Sequence, residues 1–383
     1  MIHTLGGNFA GHPGELADHI DRPAQELIEQ SFEGVDRSRL VDCHIHLIGM
    51  QSGSNGAFVN SRMFNWRYPF HRLKAGIFMS AAGVSDGSIA DQQYFDRLLS
   101  LSRAISPKLR FHLLAFDKHY NGDGSVNLHK TEFYTPNDYM WRCCQEYPEL
   151  FVPVMSVHPY RDDAIEELEK WACKGVAVVK WLPNAMGIDP ADQRCVPFYD
   201  KMRERNLTLL CHVAEEQAVE AREDQLLGNP LLLRTPLECG VVVVAAHAGS
   251  LGSNPDLDRT DRRRTANLAL LLRMMDTAKY AKQLYADISA VTQFNRLKGQ
   301  CLTQLLDRTD LHARFINGSD YPLPAINMII STRLLKHKGY ISRQERQSLN
   351  QIYRYNPLLF DFVLKRTLRS PETGKQFDPS IFN

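Results

Sequence analysis

Two histidines one residue apart end a mostly apolar stretch near the beginning of the chain. His44 and His46 lie in the run Val41-Asp42-Cys43-His44-Ile45-His46-Leu47. In an extended strand, side chains at positions i and i+2 project from the same face, so both imidazoles point the same way. Neutral imidazole is a common ligand of zinc and similar divalent ions. The spacing therefore indicates a metal site, although a chain with 14 histidines also produces such pairs by chance.

Four other polar residues stand at the ends of apolar runs further along the chain. They are Lys180, His212, His247 and Asp320. Because the carboxyl ends of the strands of an α/β barrel meet at one face, we expect these side chains to share that face with the histidine pair. Two of them have structural alternatives. A strand-end lysine can reach solvent or pair with Glu215, and an aspartate before a proline-containing loop can cap a turn.

The elements that must position these residues alternate along the chain, as is typical of βα units. We predict eight strands, at residues 40–47, 109–116, 151–157, 176–182, 207–213, 241–247, 284–289 and 314–318. We predict helices at residues 92–105, 136–146, 162–173, 196–205, 214–227, 265–282 and 295–307. This count indicates an α/β fold, the (β/α)₈ TIM barrel. An open doubly wound sheet shows the same alternation, but residues 48–53 lack its glycine-rich phosphate turn.

A single domain over residues 1–383 fits this pattern, with three additions to a barrel core at about 38–340. The additions are an N-terminal extension (1–36), a long insertion after the first strand (49–91) and a C-terminal helical tail (341–383). The insertion holds an aromatic cluster at residues 63–70, too dense for a free linker. We expect the insertion to fold over the barrel mouth as a lid or to pack against another subunit.

Together the motifs resemble those of the amidohydrolase superfamily of metal-dependent TIM-barrel enzymes. The resemblance is to its amidohydrolase-2 branch, which includes hydrolases and related decarboxylases. It rests on VDCHIHL, VVKWLP, LLCHVAEE, VVAAHAG and NGSDYP, in that order, and covers roughly residues 40–322. Any one of these motifs is common. Their kind and order together are specific.

The resemblance implies a divalent metal, with zinc the expected ion, surrounded by His44, His46, His212 and Asp320. His247 would bind a second ion or hydrogen-bond the reacting water. Lys180 matches a strand-four lysine that is carboxylated in members with two ions. Many single-metal members need no such carbamate, so one ion and two ions both stay open.

The expected chemistry follows from these residue types. A divalent ion lowers the pKa of water from 15.7 towards ~7 and polarises a carbonyl oxygen. Asp320 and His247 are the predicted catalytic residues, moving protons during hydrolysis of an amide, lactone or ester. One alternative is non-oxidative decarboxylation of a small carboxylic acid on the same metal. Another is a metal-binding barrel without catalysis.

Substrate contacts are predicted just beyond the strand ends and in the insertion. The predicted contacts are Trp66, Arg67, Asn184, Met186 and Tyr321. Glu215, Asp287 and Ser289 are further candidates. Arg67 or Arg296 is a candidate for holding a substrate carboxylate by two parallel hydrogen bonds.

Composition excludes several classes of partner. Lys and Arg total 45 against 44 Asp and Glu, so the formal net charge is +1 and the chain has no summed field for nucleic acid or an anionic membrane. Residues 1–10 lack signal-peptide features, and no apolar run is long enough to span a bilayer. Eight scattered cysteines suggest no disulfide framework. We expect a cytoplasmic homodimer or larger homo-oligomer that acts on a small molecule.

Overall fold

A computed structural model of the chain describes residues 6–7, 9–219, 221–297, 300–327 and 329–383. It has a strand at each of the eight predicted positions. The eight strands are β1 (Val41–His46), β2 (Arg110–Leu114), β3 (Phe151–Val154), β4 (Val178–Trp181), β5 (Thr208–His212), β6 (Val242–Ala246), β7 (Leu284–Asp287) and β8 (Phe315–Ile316). Their inward residues are almost all buried, as expected for strands covered on both faces.

All neighbouring strands pair in parallel, in two sheets ordered β1-β2-β3 and β8-β7-β6-β5-β4. Single parallel bridges, Met155 with Val179 and Ile45 with Tyr321, connect the two sheets. At the second bridge the amide of His46 donates to the carbonyl oxygen of Tyr321 at 3.0 Å. The fold is α/β with parallel strands, and their carboxyl ends lie together.

Helices fill most of the connections between strands and both ends of the chain. In order they are α1 (Leu16–His19), α2 (Arg22–Ser31), α3 (Pro69–Ala81), α4 (Ala90–Arg103), α5 (Asn137–Glu146), α6 (Ala164–Ala172), α7 (Pro183–Met186), α8 (Val196–Glu204), α9 (Arg234–Glu238), α10 (Asn267–Met275), α11 (Cys301–Asp307), α12 (Thr332–His337), α13 (Arg343–Tyr353) and α14 (Pro357–Thr367). No helix among the described residues is both long enough and apolar enough to cross a bilayer.

The predicted helix at 214–227 is wrong. After β5 the chain turns through Ala214, whose φ is 89°, and forms only a 3₁₀ segment at Arg222–Gly228. The carboxylate of Glu216 accepts hydrogen bonds from the amides of Ala218 and Val219, at 2.5 and 2.9 Å. In a helix, backbone carbonyl oxygens would accept from these amides. Because the Glu216 side chain accepts from them instead, this charged stretch forms a turn.

The insertion between β1 and α4 is attached at both of its ends. Tyr94 of α4 donates to the carbonyl oxygen of His46. The carboxylate of Asp91 accepts from Asn55 at 2.6 Å, and the Asp91 amide donates to Ser52 at 2.8 Å. Between these points a short antiparallel pair, Phe58–Val59 with Phe133–Tyr134, ties the insertion to the β2–α5 connection.

The two ends of the chain pack together. Helix α2 contacts α13 and α14. In α14 the amine of Lys365 donates to Asp361 at 2.6 Å and to the carbonyl oxygen of Gly318 at 2.5 Å. The C-terminal tail therefore supports the loop that follows β8.

Candidate metal centre and cavity

Strand ends bring the predicted ligands to one place. His46 and His212 are the last residues of β1 and β5, and the register pairs His212 with Ala246, directly before His247. His247 and Asp320 have left-handed backbone, with φ of 57° and 63°. Such φ values cost roughly 1–3 kcal/mol in a non-glycine residue and persist where the surroundings enforce them. They turn both side chains towards the other predicted ligands.

The loop that carries Asp320 is fastened to β1. The amide of Asp320 donates to the carbonyl oxygen of His44 at 2.8 Å. Asp42 accepts from the amides of His44 and Ser319, at 3.1 and 2.8 Å. A Cβ on Gly318 would lie 2.8 Å from the Cβ of His44, so glycine permits this close approach. These contacts fix Asp320 relative to the histidine pair.

The carboxylate of Asp320 lies between three imidazoles. Its Oδ1 is 3.2 Å from Nε2 of His46 and 3.6 Å from Nε2 of His44, and its Oδ2 is 3.8 Å from Nδ1 of His247. Burial raises the pKa of Asp320, but the hydrogen bond from His46 and the charges of His44, His46 and Lys180 outweigh it and lower the pKa to about 2. Asp320 is therefore ionised at neutral pH, the form that binds a cation.

His212 supplies a further nitrogen without a partner. Its Nε2 is buried and accepts or donates no hydrogen bond among the described residues, while Oε2 of Glu216 lies 3.5 Å away. Burial and the charges of Lys180 and Arg296 hold the pKa of His212 well below its usual value. A neutral imidazole with an unused buried nitrogen is the donor that a metal ion requires.

Asp287, at the end of β7, is the common acceptor for the histidines of β1 and β6. Its Oδ2 accepts from Nδ1 of His44 at 2.9 Å, and its Oδ1 accepts from the amides of His247 and Ser289, each at 2.9 Å. The proximity of His44 and His247 lowers the pKa of Asp287 against the effect of burial. With both oxygens occupied, Asp287 orients other groups, and we do not place it among the ligands.

Ser289 fixes the tautomer of His247. Its hydroxyl donates to Asp287, so its oxygen accepts from Nδ1 of His247 at 2.7 Å. Nδ1 of His247 therefore carries the proton and Nε2 does not. By the same argument the hydrogen bond from Nδ1 of His44 to Asp287 leaves Nε2 of His44 unprotonated.

Lys180 is fully buried on β4 beside this set. Its amine lies 3.2 Å from Nε2 of His44. Burial lowers the pKa of Lys180, although the carboxylates of Asp287 and Asp320 oppose this effect. The structure thus places Lys180 inside the site, and the structural alternative, a solvent contact or a pair with Glu215, does not apply.

These groups form one end of a cavity of about 160 Å³. His46, Lys180, His212, His247 and Asp320 all line it, together with Glu216 and Arg296. The opposite wall is apolar and comes from the insertion, through Met50, Met63, Phe64, Ala75, Phe78 and Met79. The insertion covers the site, as one of its two predicted roles requires.

The five predicted substrate contacts do not line this cavity. Trp66 is 74% exposed, with Arg67 stacked on its ring at 5.7 Å. Asn184 is buried and donates to the carbonyl oxygen of Ala214. Met186 and Tyr321 are buried core residues. Packing therefore assigns these positions to the surface or the core.

Three residues of the site were given another role, or no role, by the sequence analysis. Glu216 follows Glu215 in the same motif. Because we predicted a helix at 214–227, we did not expect the turn that directs Glu216 into the cavity. Asp287 and Ser289 were expected to touch substrate, whereas they hydrogen-bond His44 and His247. Their strand-end position was a usable signal, but it could not distinguish a substrate contact from support of a histidine.

The fold and the site define a parallel α/β protein with a histidine–aspartate cluster at its strand ends. A family model described as Amidohydrolase matches residues 41–325, well over half of the chain. The chain belongs to the amidohydrolase family, whose members are metal-dependent enzymes. No curated protein in the comparison matches it.

Solved structures are similar to the chain at low identity. 5-Carboxyvanillate decarboxylase from Sphingomonas paucimobilis is 11% identical, with a TM-score of 0.45 over 90% of this chain and 96% of the other. 4-Oxalomesaconate hydratase from Rhodopseudomonas palustris is 16% identical, with a TM-score of 0.42 over 82% and 93%. A candidate 2-pyrone-4,6-dicarboxylic acid hydrolase from Pseudomonas putida is 18% identical, with a TM-score of 0.42 over 74% and 83%.

Proposed function

We propose that the protein is a metal-dependent hydrolase that cleaves an amide, lactone or ester bond in a small molecule. One observation carries the proposal. Oδ1 of Asp320 lies within 3.6 Å of Nε2 of both His44 and His46, at the end of a cavity that His212 and His247 also line. The histidine pair lies on β1, and each of the other groups lies at the end of a different strand. Four strands therefore place their terminal side chains around the carboxylate of Asp320.

The scaffold we propose is a closed eight-stranded (β/α)₈ barrel. The bridges of Met155 with Val179 and of Ile45 with Tyr321 support it, because they lie at the two places where the sheets would otherwise have open edges. Closure brings β1 beside β8 and therefore the histidine pair beside Asp320.

The residues present fit a zinc ion or a similar divalent ion. His44, His46, His212 and Asp320 would hold it, since they offer imidazole nitrogens and an ionised carboxylate, and Nε2 of His212 is buried without a hydrogen bond among the described residues. His247 and a carboxylated Lys180 would hold a second ion. Such an ion, when bound, supplies polarisation of a carbonyl oxygen and a lowered pKa for water.

The chain's own groups then divide the proton transfers. The carboxylate of Asp320 accepts the proton of the attacking water and returns it to the leaving group. Where only one ion is bound, the unprotonated Nε2 of His247 is not a ligand and orients the water by accepting a hydrogen bond. Asp287 and Ser289 keep His247 in this tautomer, and the apolar wall of the cavity limits access of other water.

The experiment uses protein stripped of metal with a chelator and reloaded with zinc. We expect turnover of at least one compound in a panel of amides, lactones and esters, with ¹⁸O from water appearing in the product. Asp320→Asn should abolish turnover, while Asp18→Asn, at an exposed position, should not. Equal turnover with and without metal would overturn the proposal.

Non-oxidative decarboxylation is the second candidate, because the buried arginine Arg296 lines the same cavity and can hold a carboxylate. Release of CO₂ without incorporation of ¹⁸O would select it. A metal-loaded protein that turns over no compound would favour a metal-binding role alone.

We also propose a cytoplasmic homo-oligomer. Trp66 and Phe70 of the insertion are 74% and 86% exposed, and clustered exposed apolar side chains commonly mark an interface. The eight cysteines are unpaired, as expected in a reducing compartment. Light scattering should give the mass of a dimer or larger, and Trp66→Ser with Phe70→Ser should lower it.

A further inference from the structure

Arg296 is a buried cation without an anionic partner in the described part of the chain. The residue follows β7, its side chain lines the cavity, and it is 5% exposed. Its Nη1 donates to the hydroxyl of Ser250 at 3.0 Å, and its Nε donates to Oε1 of Gln293 at 3.5 Å. Both partners are neutral. A guanidinium held this way has been removed from water without a counter-ion, which is costly unless a ligand supplies one.

The carboxylates nearby are already engaged. Asp320, Glu216 and Asp287 attract Arg296 electrostatically. Asp287 accepts from His44 and from two backbone amides, and Glu216 accepts from the amides of Ala218 and Val219. Asp320 lies among the histidines. None of the three forms an ion pair with Arg296 within the described residues.

The hydrogen bonds to Ser250 and Gln293 also orient the guanidinium. They occupy Nε and one N–H of Nη1, which leaves the end formed by Nη1 and Nη2. That end is the fork that binds a carboxylate through two parallel hydrogen bonds. Arg296 lies close enough to His212 and His247 for its charge to lower the pKa of each. An anion on Arg296 would therefore lie beside the candidate catalytic groups.

The rest of the cavity, along α3, favours an apolar group rather than a second charged one. The wall made by Ala75, Phe78 and Met79 of α3 is apolar. The lysine on the same helix, Lys74, is already paired with Glu132 at 2.8 Å. Lys180, which also lines the cavity, is directed to Nε2 of His44 at 3.2 Å. Within the described residues, a ligand that fills the cavity therefore meets the guanidinium of Arg296 near Asp320 and an apolar surface along α3.

We propose that Arg296 is the specificity-determining anchor for a substrate carboxylate, and that the substrate is a monocarboxylate with an apolar body lying against α3. The identity of the reacting group rests on the proposed function, whereas the binding of the carboxylate to Arg296 does not. The proposal disfavours polyacids as substrates, because the apolar wall along α3 offers no unpaired cation to a second carboxylate.

The test is calorimetric binding of three probes to the full-length protein, both zinc-loaded and metal-free. The probes are octanoate, octanamide of the same shape without charge, and acetate without the apolar body. We expect octanoate to bind most tightly in both forms. Arg296→Gln should weaken octanoate roughly tenfold to a hundredfold, the range for a lost charged hydrogen bond, and leave octanamide unchanged. Arg259→Gln, at an exposed arginine, is the matched control and should change nothing.

Two further variants keep the result interpretable if Arg296→Gln does not fold. Arg296→Lys keeps the charge but lacks the fork, so it should weaken octanoate less than Arg296→Gln. Ala75→Phe shortens the apolar end and should weaken octanoate while sparing acetate. Circular dichroism checks the fold of each variant.

Equal binding of octanoate and octanamide, or unchanged octanoate binding in both Arg296 variants, would overturn the proposal. Octanoate binding that needs zinc and ignores Arg296 would place the carboxylate on the metal and also overturn it. Loss of hydrolysis across the panel, with Arg296-dependent binding retained in metal-free protein, would instead contradict only the proposed function.

Discussion

Nζ of Lys180 lies 3.2 Å from Nε2 of His44, and both side chains are fully buried. Nδ1 of His44 donates to Asp287, so Nε2 presents its lone pair to the lysine. That lone pair can accept a hydrogen bond or bind a cation, but not both. Metal binding through His44 therefore requires Lys180 to move away or to change chemically.

We expect Lys180 to become carboxylated when metal-free protein is reloaded with zinc in bicarbonate. Burial lowers the pKa of the amine, and the neutral amine is the form that reacts with CO₂. With ¹³C-bicarbonate, NMR should show a carbamate carbon in the wild type and in Lys282→Gln, at an exposed lysine, but not in Lys180→Gln. One zinc per chain without this signal would show that Lys180 only hydrogen-bonds.

We expect His44→Ala and His46→Ala both to abolish zinc retention but to differ in stability. The His44 side chain is fully buried and its loss leaves the Asp287 carboxylate short of a donor, which costs about 1–3 kcal/mol or more. The His46 side chain is 15% exposed, and its hydrogen bond to Asp320 is longer, at 3.2 Å, so its loss should cost less. Elemental analysis and denaturant unfolding of metal-free protein measure the two effects. Equal stability of the variants would contradict the role of Asp287.

Asp320→Asn separates a ligand from a proton-transfer group. The amide keeps the size and one oxygen but removes the basic carboxylate. If Asp320 moves the proton, kcat should fall by ~10²–10⁴ with zinc content largely kept. If Asp320 is only a ligand, zinc content should fall and excess zinc should restore the rate. A variant with full zinc and near-native kcat would exclude both roles.

His158 should make the protein less stable in acid. Burial lowers the pKa of His158 to about 3 from the usual 6.5, so the folded state holds the ring neutral while the unfolded chain takes up a proton. Its contribution is complete above pH 6.5 and decreases as the pH falls towards 3. Between pH 7 and pH 4 the loss is about 3 kcal/mol.

The measurement is the free energy of unfolding of metal-free protein at pH 7 and pH 4. His158→Gln keeps a donor for the carbonyl oxygen of Met186, which His158 contacts at 2.9 Å, but does not titrate. The difference between the two pH values should shrink by about 3 kcal/mol in this variant. It should stay at the wild-type value in His337→Gln, at an exposed histidine. An unchanged difference in His158→Gln would refute the assignment.

The strands and the strand-end positions of the candidate ligands were predictable because both are local properties of the chain. A short apolar run predicts a buried strand, and the histidine that follows it, His212 or His247, marks the end of that strand. The contacts of the cavity were not predictable in the same way. Trp66 is conspicuous in the sequence, yet the face of α3 that turns inward carries Ala75 and Phe78, and packing decides that face. Tyr321 neighbours Asp320 but points into the core.

Side-chain hydrogen bonds account for the remaining errors, and one case is local whereas the other joins distant parts of the chain. The charged stretch after β5 reads as a helix until Glu216 is seen to satisfy the amides that a helix would use. Asp287 reads as a substrate contact until His44 is found 2.9 Å away, 243 residues earlier in the chain. Such long-range partners leave no periodic trace in a single sequence.

The hydrogen bonds at His46 and Asp91 separate the strand ends, which carry the candidate reactive groups, from the insertion, which supplies the apolar wall of the cavity. Changes of length or sequence between the two attachment points end at the hydrogen bonds of Tyr94, Asn55 and Ser52, before they reach the strand that carries the histidines. The apolar wall can therefore be varied within the insertion if the pairing of Phe58–Val59 with Phe133–Tyr134 is kept. Grafting a different segment between these points is a route to new substrate preference on an unaltered reaction centre.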